Sequence, residues 1–301
     1  MSLAALAPRC RARSRGVLGL RCSGVLRAAR AAPGTTSRVC GVTFDAGTPA
    51  PEVVADDHAL AAWLAEVAGR CLLEVRQEGL TGKELKDAGD RAAHELLMGL
   101  LAEHRPQDAV LSEEGKDDKA RLGADKVWIV DPLDGTREFS EPPRDDWAVH
   151  VALWQGGDLI AGAVAQPALG ETFSTGNPPV VPPRTSTRPR IAVSRSRPPA
   201  FVEALAAELD AELVPMGSAG VKMMSVVRDV ADAYVHAGGQ YEWDSAAPVA
   251  VARSAGLFTS RVDGSDLIYN QDDVYLPDVI VCRPELSDQI LAFIDSHGTD
   301  G

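Results

Sequence analysis

The sequence predicts an α/β protein. Three observations support this. Beyond residue 50, stretches with helical spacing of apolar residues alternate with short strand-like runs almost to the end of the chain. Those strand-like runs stop abruptly at acidic or turn residues instead of continuing as helices. And 301 residues of which 45% are hydrophobic supply a core for one large domain or two smaller ones.

The first helix is expected over His58–Gln77, where Leu60, Trp63, Leu64, Val67, Cys71, Leu72 and Val75 fall on one face and Asp56 and Asp57 are available as caps. A Gly79–Gly82 break follows. A second helix is expected over Asp87–Glu103, with Asp90 near its start. Ala109–Ser112 reads as a strand ending at Glu113, and Val127–Val130 as a strand ending in Asp131-Pro132-Leu133-Asp134-Gly135-Thr136. Trp147–Trp154, Leu159–Gln166 and Glu171–Thr175 continue the strands, and five prolines between 176 and 189 mark an exposed loop. The later part alternates strands (Ile191–Ser194, Leu213–Met216, Ala233–His236) with helices (Pro199–Leu209, Ser218–Asp229, Asp244–Ala255). It closes with Leu257–Val262, Leu267–Tyr269, Val279–Cys282 and a helix over Pro284–Asp295. The expected organisation is an extension over 1–50, an α+β half over 51–189 and an α/β half over 190–301.

Net charge is −13, yet residues 1–44 hold eight arginines and no Asp, Glu or Lys, so that segment carries about +8 and the rest −21. The extension is read as disordered or as the product of an upstream start; an organellar transit peptide is the competing reading. An acidic body excludes binding to a nucleic-acid polymer, which needs a basic face. It does not exclude a small phosphorylated substrate, because bound cations invert the local field. No apolar run approaches the ~20 residues of a membrane span. Five cysteines without paired spacing fit a reducing, cytoplasmic setting better than a disulfide framework or a zinc site.

The chemistry is concentrated in Asp131–Thr136. A buried strand delivers two carboxylates to its own end, and a Gly-Thr turn exposes N–H groups to an anion. Mg²⁺ takes oxygen ligands, commonly one or two carboxylates with water and substrate phosphate, and two such ions can serve an in-line displacement. Glu113 after the preceding strand and Asp244 at a helix start add further carboxylates. Taken singly, each of these acids also suits an ordinary cap or turn. Six scattered histidines, Asp117–Lys119 and Arg144–Asp146 read as structural or solvent-facing, Trp243 as packing, and Ser194–Arg197 as a weak candidate for phosphate contact.

Val127–Thr136 resembles the first signature of the inositol monophosphatase-like superfamily. Tyr241-Glu242-Trp243-Asp244-Ser245-Ala246-Ala247-Pro248 resembles its second, and Ser112-Glu113-Glu114-Gly115 its upstream acidic element. Thr136-Arg137-Glu138-Phe139 and Met216–Lys222 are similar to the CysQ-type 3′(2′),5′-bisphosphate nucleotidase branch. The resemblance spans about residues 56–296 and implies a layered α+β sandwich, the sugar-phosphatase fold. It also implies two or three Mg²⁺ ions, inhibition by lithium, and removal of the 3′-phosphate of adenosine 3′,5′-bisphosphate, or of its phosphosulfate relative, in sulfate assimilation. By the same resemblance, Glu113, Asp131, the Leu133 carbonyl, Asp134 and Asp244 hold metal. Glu113, Leu133, Asp134, Gly135, Thr136 and Asp244 line the scissile phosphate, and Thr136, oriented by Asp90, helps Glu113 activate water. Gly217, Ser218, Lys222 and Glu242 are candidates for the nucleoside side. An inositol phosphatase or fructose-1,6-bisphosphatase on the same scaffold is the competing enzyme reading. A non-catalytic Mg²⁺- or nucleotide-binding module is the competing class, which the intact acidic set opposes. A homodimer is allowed but not required.

Overall fold

The structure, a computed structural model, describes residues 36–39, 42–196 and 198–299, and of residues 36–44 only the backbone. Cys10, Cys22, Cys40, Arg197 and most of the arginine-rich extension lie outside the described residues. All described residues belong to one compact unit. A short hairpin of β1 (Thr36–Val39) and β2 (Val42–Asp45) precedes the short helix α1 (Pro51–Ala55).

Two long helices follow. α2 (Asp57–Val75) starts where the Asp56 carboxylate accepts hydrogen bonds from the backbone N–H groups of His58 and Ala59, at 2.8 and 3.1 Å. α3 (Gly82–His104) begins five residues earlier than its expected start, because Leu85 belongs to the same buried stripe as Ala88, Ala92 and Leu96. Asp90 therefore sits inside α3, not at its opening.

The first sheet runs β3 (Ala109–Ser112), β4 (Lys126–Asp134), β5 (Ala148–Gln155), β6 (Asp158–Gln166), β7 (Glu171–Ser174). β3 pairs parallel with β4, and the remaining pairs are antiparallel. β4 is buried along nearly its whole length because both faces of the sheet are covered. The four-residue helix α4 (Thr136–Phe139) follows β4.

The second sheet is mixed. Its strands β8 (Arg190–Ser194), β9 (Glu212–Met216), β10 (Ala233–Tyr241), β11 (Phe258–Ser260) and β12 (Tyr275–Cys282) lie in the order β11-β12-β10-β8-β9. Between them the chain forms α5 (Ala200–Glu208), α6 (Ala219–Val227) and α7 (Glu242–Ser254), and it ends in α8 (Pro284–His297).

Three apolar clusters define five layers. Leu60, Leu64, Leu96 and Leu100 of α2 and α3 pack on Trp128, Val130 and Val151. The opposite face, Ile129, Ala152 and Val164, meets α6 and α7 through Met224, Ala247 and Val251, which also cover Val279 and Val281 of the second sheet. α5 and α8 close its outer face, where Val202, Leu205, Ile290 and Phe293 pack on Ile191 and Ile280. The layered α+β sandwich is what the sequence predicts.

Two segments depart from expectation. Leu267–Tyr269 is not a strand. Its neighbours Asn270 and Gln271 send their backbone N–H groups to the Glu242 carboxylate, both at 2.7 Å, so no ladder forms there. Asp117–Lys119 is solvent-facing at Asp118 and Lys119, as expected, but Asp117 is drawn inward. The segment leads into a 3₁₀ turn over Lys119–Gly123 in which buried Arg121 joins Asp117 to Asn270.

Candidate active site

The acidic cluster depends on an irregularity in β4. Residues three apart on a regular strand point to opposite faces. Here the pairing of β4 with β5 shifts register between Asp131, opposite His150, and Asp134, opposite Ala148. Pro132, which cannot donate to a ladder, occupies the shift. Both carboxylates thus reach one place. Asp244 joins them from the first turn of α7, and carboxylate oxygens of Asp131, Asp134 and Asp244 lie within 4.8 Å of one another. Asp244 is held by the Tyr241 backbone N–H, which donates to it at 2.6 Å. Glu113 follows β3, and its N–H donates to the Val130 carbonyl at 3.3 Å, which sets it beside the end of β4.

These acids perturb one another. Glu113 is pushed up to about 7, first by loss of solvation and then by Asp244 and Asp134, against a hydrogen bond with Asp131. Asp131 rises well above the ordinary carboxylate range through burial and the charges of Glu113, Asp134 and Asp244. Asp244 rises to about 6 through burial and Asp134. Asp134 behaves in the opposite way. Burial would raise it, but His150, Ser218 and Gly220 hold it at about 2. Its oxygens accept from Ser218 Oγ at 2.5 Å, Gly220 N at 2.6 Å and Ala219 N at 3.1 Å, the donors exposed at the start of α6.

An all-oxygen donor set in which the charge of Asp134 raises the pKa of Glu113, Asp131 and Asp244 fits a hard divalent cation, which would relieve the repulsion between the carboxylates. Asp131, Asp134 and Asp244 would hold it, with Glu113 alongside. Leu133 contributes its carbonyl to the same turn, where Thr136 Oγ1 lies 3.2 Å from it and 3.3 Å from Asp90 Oδ1. Asp90 is raised to about 7, mainly by burial and then by Glu114. Gly135 takes φ +86° at the head of α4, a left-handed conformation that favours glycine.

Asp134 and Asp244 of the cluster face a cavity of about 540 Å³. Of the residues expected at the site, Asp134, Gly135, Ser218, Lys222 and Asp244 line it. Lys222 is buried and donates to the Ser218 carbonyl at 2.7 Å, and burial lowers its pKa despite nearby Asp134 and Glu138. Asp90, Glu113, Asp131, Leu133 and Thr136 are not in the lining, and neither are two residues expected on the nucleoside side. Gly217 packs on Glu138, and its N–H donates to Asp146 at 2.6 Å. Glu242 is 1% exposed, its carboxylate committed to the Asn270 and Gln271 backbone.

Several residues read as bland in sequence belong to the site or support it. His150 is fully buried. Its Nδ1 lies 3.1 Å from the Trp243 carbonyl and its Nε2 3.2 Å from Asp134 Oδ2. Burial would lower its pKa, but Asp134 raises it above the usual value. Asp146 is buried and not on a surface turn. Arg195 is paired with Glu138 at 2.7 Å and Glu141 at 2.8 Å, not left open to a phosphate. No local signal marks His150; only its register opposite Asp131 does. Cys71 and Cys282 are buried.

Layered fold and acidic cluster together define the class: the chain belongs to the inositol monophosphatase family, whose profile matches residues 55–298. Among curated relatives, a Mycobacterium leprae protein named 3′-phosphoadenosine 5′-phosphate phosphatase is 50% identical over 252 residues, 79% of this chain and 93% of that protein. The 3′(2′),5′-bisphosphate nucleotidase CysQ of Escherichia coli K12 is 32% identical over 63% of this chain and 81% of its own length. Among solved structures, CysQ from Bacteroides thetaiotaomicron superimposes with a TM-score of 0.64 at 29% identity, over 74% of this chain and 96% of that one. No helix among the described residues is long and apolar enough to cross a membrane.

Proposed function

We propose that this chain is a Mg²⁺-dependent phosphatase that removes the 3′-phosphate of adenosine 3′,5′-bisphosphate, and of its phosphosulfate relative, in the cytoplasm during sulfate assimilation. The observation that carries the reading is the acidic cluster of Asp131, Asp134 and Asp244, two of whose members, Asp134 and Asp244, line a cavity of nucleotide size. The 50% identity to a phosphatase named for that substrate selects the nucleotide among phosphate esters.

Two or three magnesium ions, when bound, would supply charge neutralisation to the phosphoryl oxygens and an acidified water. The chain's own residues do the rest. Glu113, set beside the end of β4, accepts the proton of the attacking water. Thr136 Oγ1, within reach of Asp90 and the Leu133 carbonyl, orients water on the phosphate side, and Asp90 can hold the proton. The turn Gly135–Thr136 presents N–H groups to the scissile phosphate. His150 and the start of α6 keep Asp134 ionised in place.

The test is steady-state kinetics on adenosine 3′,5′-bisphosphate, inositol 1-phosphate and fructose 1,6-bisphosphate, with and without Mg²⁺ and lithium. The expected result is the highest kcat/KM for the nucleotide, dependence on Mg²⁺ and inhibition by lithium. A higher kcat/KM for inositol 1-phosphate would refute the substrate assignment, and nucleotide binding without turnover would refute catalysis.

A further inference from the structure

We infer that Tyr241 is a specificity-determining residue, a stacking platform for the base of the nucleotide; the inference rests on the nucleotide reading above. Tyr241 ends β10 and immediately precedes α7. Its backbone N–H holds the Asp244 carboxylate while its ring lines the cavity. Platform and acidic cluster are thereby set three residues apart on one helix cap. A ligand with its phosphate at the cluster has its remainder within the cavity that this ring borders.

The ring is held in place. It stacks on Trp243 with centroids 4.9 Å apart and planes 13° from parallel, and meets Tyr275 edge-on at 6.1 Å and 82°. Trp243 is itself partly buried against the core beneath α7, so the stack has an anchor. Tyr275, itself 47% exposed, lies against a bulge of β10, where Gly238 and Gly239 leave the ladder with φ +114° and +92°. A Cβ on Gly239 would collide with the Tyr275 ring. Yet Tyr241 stays 47% exposed. A large aromatic contacted on two sides and still exposed beside the cavity offers a π-face at low entropic cost. Adenine has a face to lay on it; inositol and fructose phosphates have none. Truncating such a platform to alanine typically weakens binding roughly 5- to 150-fold per base.

The experiment compares wild type, Tyr241→Ala and Tyr241→Phe. One arm measures KM for adenosine 3′,5′-bisphosphate and for inositol 1-phosphate. A second titrates adenosine 5′-monophosphate against intrinsic tryptophan fluorescence, which needs no turnover. For Tyr241→Ala the expected result is a rise in the nucleotide-to-inositol KM ratio, and in the Kd for the monophosphate, by roughly 5- to 150-fold; Tyr241→Phe should keep both near wild type. An equal rise in both KM values would indicate distortion of the Asp244 cap and overturn the inference, as would an unchanged Kd. If wild type prefers inositol 1-phosphate while Tyr241→Ala still abolishes monophosphate binding, the functional reading falls and the platform stands. If wild type prefers the nucleotide and Tyr241→Ala is silent, the platform falls alone.

Discussion

Asp134 and Asp244 both face the acidic cluster, yet the structure predicts that replacing them with asparagine has different costs. In Asp134→Asn one carboxylate oxygen becomes an NH₂ group. Whichever way the amide turns, it opposes a donor, either the Ala219 N–H on one side or the Ser218 Oγ and Gly220 N–H on the other. Charge-assisted bonds of ~1.5–3 kcal/mol become neutral ones of ~1, and one buried donor is left unsatisfied at ~1–3 kcal/mol. Relief of repulsion with Asp131 and Asp244 offsets part of this, and His150 loses the carboxylate that raises its pKa. The net cost is about 2–3 kcal/mol. Asp244→Asn loses the charge on a single cap bond, about 1 kcal/mol or less. For a domain of this size ~1 kcal/mol moves Tm by about 2–4 °C, so Asp134→Asn should melt roughly 4–12 °C below wild type and Asp244→Asn only a few degrees below. The assay is thermal unfolding in EDTA, so that lost metal binding does not contribute, alongside Mg²⁺-dependent turnover. Turnover should fall by about three orders of magnitude or more in both, since several kcal/mol of charge stabilisation is removed. Equal melting temperatures for the two variants, or near-normal turnover in either, would refute the reasoning.

Three further predictions follow. Gly220→Ala places a Cβ far inside contact with the buried His150 ring; it should cost ~3 kcal/mol or more, and adding His150→Ala should recover part of the lost Tm. In EDTA, Glu113, Asp244 and Asp131 bind protons more tightly folded than unfolded. Metal-free stability should therefore fall as pH rises from about 4 through about 7, and Mg²⁺ should abolish that slope in a urea titration; a stability that rises over this window would contradict the cluster. At the other end of the molecule, burial would raise Asp232, but Arg190 and Arg283 hold it below the ordinary carboxylate value. That contribution is present above the unfolded pKa near ~3.9 and is lost as pH falls through the lower folded value. Asp232→Asn should flatten the acid limb of the unfolding curve.

Much of this protein is determined by local sequence. Apolar spacing places α2, β3 and the strand alternation, because one face of each element must be buried. Asp131, Asp134, Thr136 and Asp244 are legible because turn chemistry next to a buried strand has few other uses in that order. The first turns of α3 are less legible: Lys83–Lys86 carries only Leu85 to mark its buried face. Tertiary structure decided what depends on pairing. His150 becomes the partner of Asp134 only through the register of β5 against β4. Asp146 and Glu138 become buried only when the start of α6 docks on them. Glu242 is removed from the substrate side because the loop after Tyr269 has no strand partner and takes its backbone bonds from that carboxylate. Tyr241 becomes a platform because Trp243 and Tyr275 close around it, and the β10 bulge that admits Tyr275 is written across two distant segments. A sequence records each residue's own preferences, whereas the pKa of Asp134 and the exposure of Tyr241 are properties of neighbours brought in from elsewhere in the chain.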